Sequence, residues 1–219
     1  MADSTTSEGS KTKDVLHFTP TLVKIVESPQ AIRLLEDPDY YIIIEILRKR
    51  PMTIREIEDA YKLRAADHET VEPKSYNTIY RYIKALEKEG LVISGGKRVE
   101  FGKTAAETLF SRTAKLFHFG CPPDMSKEGR EFVSRVIEGL MLVHGESKET
   151  ETCLHESVTE ISIAMKDEIT KLASVDDKGK LGEILSGEWE YMIKILDFIA
   201  FFEVLLNHPE LVKKLKDCF

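Results

Sequence analysis

Cysteine is scarce in this chain. Cys121, Cys153 and Cys218 are odd in number and none stands in a Cys-x-x-Cys pair. Neither a disulfide framework nor a zinc ribbon is therefore expected, and a reducing cytoplasm suits the thiols. Long apolar runs are also missing. The most apolar stretch, residues 191–206, is interrupted by Lys194, Asp197 and Glu203 and is short for a bilayer, so it reads as a buried helix. The first ten residues lack the apolar core of a signal peptide, so nothing directs the chain to secretion. H-E-x-x-H, G-x-S-x-G and a recognisable carboxylate pair are all absent, so no enzyme and no catalytic residue is expected. Gly95-Gly96-Lys97 lacks the glycine spacing, the following Ser or Thr and the helix of a phosphate loop, which removes a nucleotide cofactor. His118-x-x-Cys121 and Cys153-x-His155 carry ligand-type side chains without a closed four-ligand spacing, and no metal is expected.

Two features remain: enough apolar residues for a core, and an uneven distribution of charge. The 219 residues are 42% hydrophobic and carry a net charge of −7, which allows two small domains. Between residues 46 and 115 there are 15 Lys and Arg against 10 Asp and Glu, a local +5 that leaves −12 for the rest. A basic module sits inside an acidic protein, and that combination points to an anionic partner for one part of the chain.

In chain order, residues 1–13 are polar and read as a disordered tail. Leu22, Val23, Ile25, Val26, Ile32, Leu34 and Leu35 suggest a helix broken near Ser28-Pro29. Asp37-Pro38 starts another, closed by Arg48-Lys49-Arg50-Pro51. Thr53-Ile-Arg-Glu56 matches a capping box and predicts a helix to about Lys62 with Ile54, Ile57 and Tyr61 buried. A polar link over 63–73 leads to residues 75–89, a helix with Ser75 as N-cap and Gly90 as its left-handed stop. Ile79, Ile83 and Leu86 make its core face; Asn77, Arg81, Lys84 and Lys88 make a second face, bordered by Tyr76 and Tyr80. Residues 91–93 and 98–101 read as two strands around a Gly-Gly turn, a wing with Lys97 and Arg98 at its tip. Thr104-Ala-Ala-Glu107 reads as a further capping box, opening a helix with Leu109, Phe110 and Leu116 that runs towards His118.

Gly120-Cys-Pro-Pro-Asp124 reads as a boundary. The expected organisation is a winged helix-turn-helix domain with flanking helices over 14–120 and an all-helical dimerisation or effector domain over 126–219. No strand is expected after Phe101. In the second half, Leu154, Val158, Ile161, Met165 and Leu172 resemble a short coiled-coil seam, and the apolar helix over 183–206 should be central to its packing. Trp189, Phe201 and Phe202 mark where a small-molecule effector would sit if the helices enclosed a pocket.

The run Thr78-Ile-Tyr-Arg-Tyr-Ile83, followed by Leu86 and by Gly90-Leu-Val92, resembles the recognition helix and first wing strand of winged helix-turn-helix regulators of the ArsR and PadR types. The resemblance spans about residues 30–118 and rests on hydrophobic spacing. It implies a mainly α fold with a small β wing, and a cytoplasmic homodimer that regulates transcription by binding double-stranded DNA. Asn77, Thr78, Tyr80 and Arg81 match its base- and phosphate-facing positions, and Lys97 and Arg98 match its wing. With Lys74, Ser75, Tyr76, Lys84 and Lys88 these form the expected DNA-binding set. The cysteine pair of arsenic sensors is absent from residues 53–62, so metalloid sensing is not implied. Other winged helices bind proteins, and an interaction module within a transcription or replication assembly is the alternative.

Overall fold

The computed structural model describes residues 12–66, 71–100, 105–119, 127–144, 148–175, 180 and 189–219. Two compact units divide at Phe117 and His118. The 120–124 boundary, the 1–11 part of the expected tail and most of the 176–188 loop and helix start lie outside the described residues.

The first unit opens with strand β1 (Thr12–Leu16), which takes in two residues expected in the tail, and strand β2 (Thr21–Val26). β2 corrects the helix expected there. Its run Thr-Leu-Val-Lys-Ile-Val is rich in branched side chains that suit a pleated surface, and it pairs with the later strand β5 (Ala114–Phe119). Helices α1 (Pro29–Glu36), α2 (Pro38–Ile46), α3 (Ile54–Ala66) and α4 (Tyr76–Lys88) follow. Asp37 caps α2 by accepting from Asp39 N–H at 2.9 Å, with Pro38 in its first turn. The capping box of α3 closes in both directions. Thr53 N–H donates to Glu56 Oε2 at 2.9 Å, and Glu56 N–H donates to Thr53 Oγ1 at 3.3 Å.

The core of this unit gathers Ile42, Ile43, Ile57, Tyr61, Ile79, Ile83, Leu86, Leu91 and Leu109, all essentially inaccessible to water. α4 contributes the three residues spaced for it, so its opposite face must point outwards. Its carboxy end is pinned from three directions. Gly90 has φ +67°, Leu91 N–H reaches back to Leu86 O at 2.9 Å, and Lys24 Nζ and Thr113 Oγ1 both donate to Gly90 O, at 2.6 and 2.7 Å.

The wing departs from the sequence reading. β3 runs unbroken over Val92–Glu100, through the Gly-Gly pair expected to turn, and pairs antiparallel with β4 (Glu107–Arg112). Strands β4 and β5 replace the helix expected from the Thr104 capping box, because pairing to β3 and β2 overrides a local match. Gly95 and Gly96 do not turn the chain. They sit at an irregularity in β3, where a Cβ on Gly96 would stand 2.6 Å from Val15 O and one on Gly95 2.9 Å from Ser111 Cβ. Their value is close approach: β1 lies on β3 as a third strand, giving the order β1-β3-β4. Met52 adds a bridge on the far edge through two backbone bonds with Phe110.

The second unit is helical beyond the end of β5: α5 (Lys127–His144), α6 (Lys148–Val175), α7 (Trp189–Asn207) and α8 (Pro209–Lys216). α5, α7 and α8 each pack on α6. Val133, Ile137, Leu154 and Cys218 form one core cluster, while α7 buries Met192, Leu196, Ala200 and Val204. The architecture is mainly α: a winged helix-turn-helix unit and a helical unit. No helix among the described residues is long and apolar enough to cross a membrane.

Candidate nucleic-acid interface

α4 presents the expected second face. Tyr76 and Tyr80 are 43% and 44% exposed, and Asn77, Arg81, Lys84 and Lys88 are exposed beside them. The first turn is not capped by a side chain. Ser75 takes the N-cap backbone, but its hydroxyl pairs with Thr78 Oγ1 at 3.1 Å, which also accepts from Arg81 Nη2 at 3.4 Å. The start of α4, the positive end of the helix dipole, thus has no side-chain cap, although Thr78 N–H donates to Ser75 O at 2.9 Å. Lys84 leans along the helix to Glu87 at 2.6 Å, with its ammonium 5.7 Å from the Tyr80 ring centre and 5.9 Å from that of Phe110.

Between α4 and the wing lies an open groove of about 390 Å³. Thr53, Ile54 and Arg55 close one end, Tyr76, Tyr80, Lys84 and Glu87 form the α4 wall, and Ser94, Glu107, Thr108 and Phe110 form the sheet wall. Arg55 is absent from the sequence-derived set. A signal for it existed: a cation in the first turn of a helix opposes the dipole, so its presence there asks for another reason.

Two members of the set are engaged elsewhere. Lys74 is a strut, its Nζ 2.9 Å from Asp39 Oδ2. The same carboxylate accepts from Tyr61 at 3.0 Å and from Tyr82 at 2.9 Å, so one side chain of α2 gathers donors from α3, the following link and α4. Burial raises the Asp39 carboxyl, but the bonds from Lys74, Tyr82 and Tyr61 outweigh it and hold it below its ordinary value. Burial and the bond to Asp39 push the Tyr82 phenol up to about 12.

Arg98, expected at the wing tip, lies in mid-strand and is only 17% exposed. It grips Asp14 through two bonds of 2.6 and 2.8 Å, and its Nη1 lies 2.8 Å from Glu56, which also pairs with Arg50 at 2.7 Å. The bond to Asp14 is the main reason its pKa rises. Lys97 is exposed at the neighbouring register position, likewise within β3. Arg112 is buried, with Phe117 4.9 Å from its Cζ, and burial followed by the charge of Arg48 lowers it to about 10. Much of the local positive charge is thus structural; Arg55, Arg81, Lys84, Lys88 and Lys97 keep it at the surface.

No family model matches the chain, and no curated protein does. Among solved structures, the crystal structure of Bacillus subtilis PadR in complex with operator DNA matches at 12% identity and a TM-score of 0.27, over 82% of this chain and 98% of that one.

The second unit corrects the cysteine reading. Cys153 of α6 and Cys218, just past α8, form a disulfide with a Cα separation of 5.6 Å. Sequence spacing gave no hint, because 65 positions separate them. Of the ligand-type residues considered, Cys153 is consumed by this bond, His155 is exposed, His118 is buried and Cys121 lies outside the described residues. Among the described residues, no group of three or more such side chains is gathered. Phe201 and Phe202 stand on the exposed side of α7 rather than lining an interior pocket, with ring centres 6.1 Å apart.

Proposed function

We propose that this protein is a DNA-binding transcriptional regulator of the winged-helix kind. α4 enters the major groove of duplex DNA and the wing lies along the adjacent backbone. The observation that carries the reading is the outward face of α4. Amide, hydroxyl and guanidinium groups of Asn77, Thr78 and Arg81 stand near its amino end, where a recognition helix meets base edges. Arg55, Lys84 and Lys88 supply cations for phosphates, and the tyrosines add hydroxyl donors on flat rings. The acids Glu87 and Glu107 in the groove wall narrow where a phosphate can sit and favour approach from the Arg55 side.

The protein acts as a cytoplasmic homodimer through its helical unit. Tyr191, Phe198, Phe202, Leu205 and Leu206 leave an apolar side of α7 open to water, and Leu142 and Val143 do the same at the end of α5. Such an area is covered in most soluble proteins, and a second copy gives two reading heads for two half-sites. The cytoplasmic placement rests on the DNA partner, since the thiol argument no longer holds. Fluorescence anisotropy with a generic duplex, comparing wild type with the Arg81→Ala/Lys84→Ala double variant, tests the reading. A protein-interaction role is favoured if the folded wild type leaves DNA unbound at low salt.

A further inference from the structure

The strand β1 changes what the wing can reach. Direct cross-strand partners share a face of a sheet and successive residues alternate faces. The registers Val15 to Lys97 and Lys97 to Thr108 therefore set one row across all three strands, on the face that Thr108 and Phe110 turn to the groove. Lys13 and Val99, directly opposed, lie on the same face one step along. Moving away from α4, the groove wall continues from Thr108 to Lys97 across one strand spacing, ~5 Å, and then diagonally to Lys13, about 7–8 Å further.

The opposite face has the contrary composition. Asp14, Arg98 and Glu100 fall there, and the chain Asp14–Arg98–Glu56–Arg50 ties β1 and β3 to the start of α3. The acids of β1 and β3 are thereby turned from the groove side, and among the described residues neither the Lys13 nor the Lys97 ammonium has a hydrogen-bond or ion-pair partner. Two unpaired ammonium groups on adjacent strands, braced from behind by an ion-pair lattice and carrying on an anion-facing groove, fit one kind of occupant: a continuous run of phosphates.

We propose that β1 widens the wing into a three-stranded platform whose Lys13 and Lys97 bind the phosphate backbone of duplex DNA beyond the reach of α4. This rests on the DNA-binding reading above and extends it to a segment outside the recognition helix and wing hairpin. The contact is independent of base sequence, so it sets affinity and salt dependence rather than operator choice.

The test uses the full chain and a generic duplex, titrated by anisotropy at several salt concentrations. Lys13→Ala and Lys97→Ala should each melt as the wild type does, since neither lysine is paired among the described residues. Each should weaken binding roughly threefold to tenfold and shallow the slope of log affinity against log salt by about 0.9 per phosphate lost. Lys62→Ala, which removes the same charge from α3 at its Glu58 pair, should leave the slope unchanged. Slopes equal to wild type for both wing variants, alongside weakened binding by Arg81→Ala/Lys84→Ala, would overturn the proposal and spare the reading beneath it. An equal fall for Lys62→Ala would also overturn it, by reducing the effect to net charge. A wild-type protein that binds no DNA removes both.

Discussion

Glu56 joins three elements through one carboxylate. It accepts from Thr53 N–H within the α3 capping box, pairs with Arg50 from the preceding loop and pairs with Arg98 from the wing. Burial alone would raise its pKa, but the bonds from Arg50 and Arg98 and the Thr53 N–H outweigh it and bring the carboxyl from an ordinary 4.5 to about 2. A carboxyl depressed in the fold stabilises it at pH above the ordinary value, and that contribution drains away as pH falls from about 4.5 through about 2. Solvent screening leaves a loss on the order of 1 kcal/mol. Thermal melts over that range should show the wild type losing stability that Glu56→Gln, already lacking the charge, does not lose. Parallel acid profiles for the two would mean that the junction carries no such weight.

The residues legible from sequence were those whose local chemistry is self-contained. The Thr53–Glu56 box, the Asp37–Pro38 start, the Gly90 stop and the Ile79, Ile83, Leu86 stripe each need only neighbours within one turn, and each is found as expected. Lys74 and Arg98 were not legible in the same way. Their engagement depends on Asp39 and Asp14, 35 and 84 positions distant, which no local pattern reports.

At the scale of elements, most helices and the first wing strand were readable, and the strands β1, β2, β4 and β5 were not. α3, α4, α5 and α6 occur close to where periodicity puts them, because an amphipathic stripe carries its own evidence. β1, β2, β4 and β5 are short and each needs a partner far along the chain before its pattern acquires meaning. Gly95 and Gly96 show the cost of local reading: a Gly-Gly pair suits a hairpin turn, yet here it makes room for β1. The disulfide was hidden for the same reason. It ties the end of α8 to α6, beside Ser157 and within the cluster of Val133, Ile137 and Leu154, while the terminal Phe219 ring stacks 4.0 Å from His144 of α5. Closing a loop of 65 positions corresponds to about 4 kcal/mol of chain entropy. Reduction, or Cys153→Ser, should lower the melting temperature of the helical unit by roughly ten degrees or more. An unchanged melt with and without reductant would show that packing alone holds α8.

At the scale of the whole molecule, the charge distribution and the division into two units suggest separate roles. The basic stretch over 46–115 lies in the first unit, which we propose as the reading head, and the second unit is helical with one apolar side uncovered. The apolar character of α7 on most sides predicted a buried helix central to the packing, whereas one side faces Met192, Leu196 and Ala200 inwards and the other leaves Phe198 and Phe202 to water. The proposed second copy would account for the apolar character of both sides. Light scattering should give twice the chain mass of 25.0 kDa, and Phe202→Asp should return a folded monomer with weaker DNA binding. A wild-type monomer at working concentrations would leave the stripe without its occupant.

The most direct measurement compares wild type with Arg81→Ala/Lys84→Ala for affinity to duplex DNA across several salt concentrations, with circular dichroism on the same samples. The account predicts steeply salt-dependent binding by the wild type, and affinity lower by about tenfold or more with a shallower slope in an equally folded double variant. Equal binding by the two folded proteins would contradict the assignment of α4 as the reading helix.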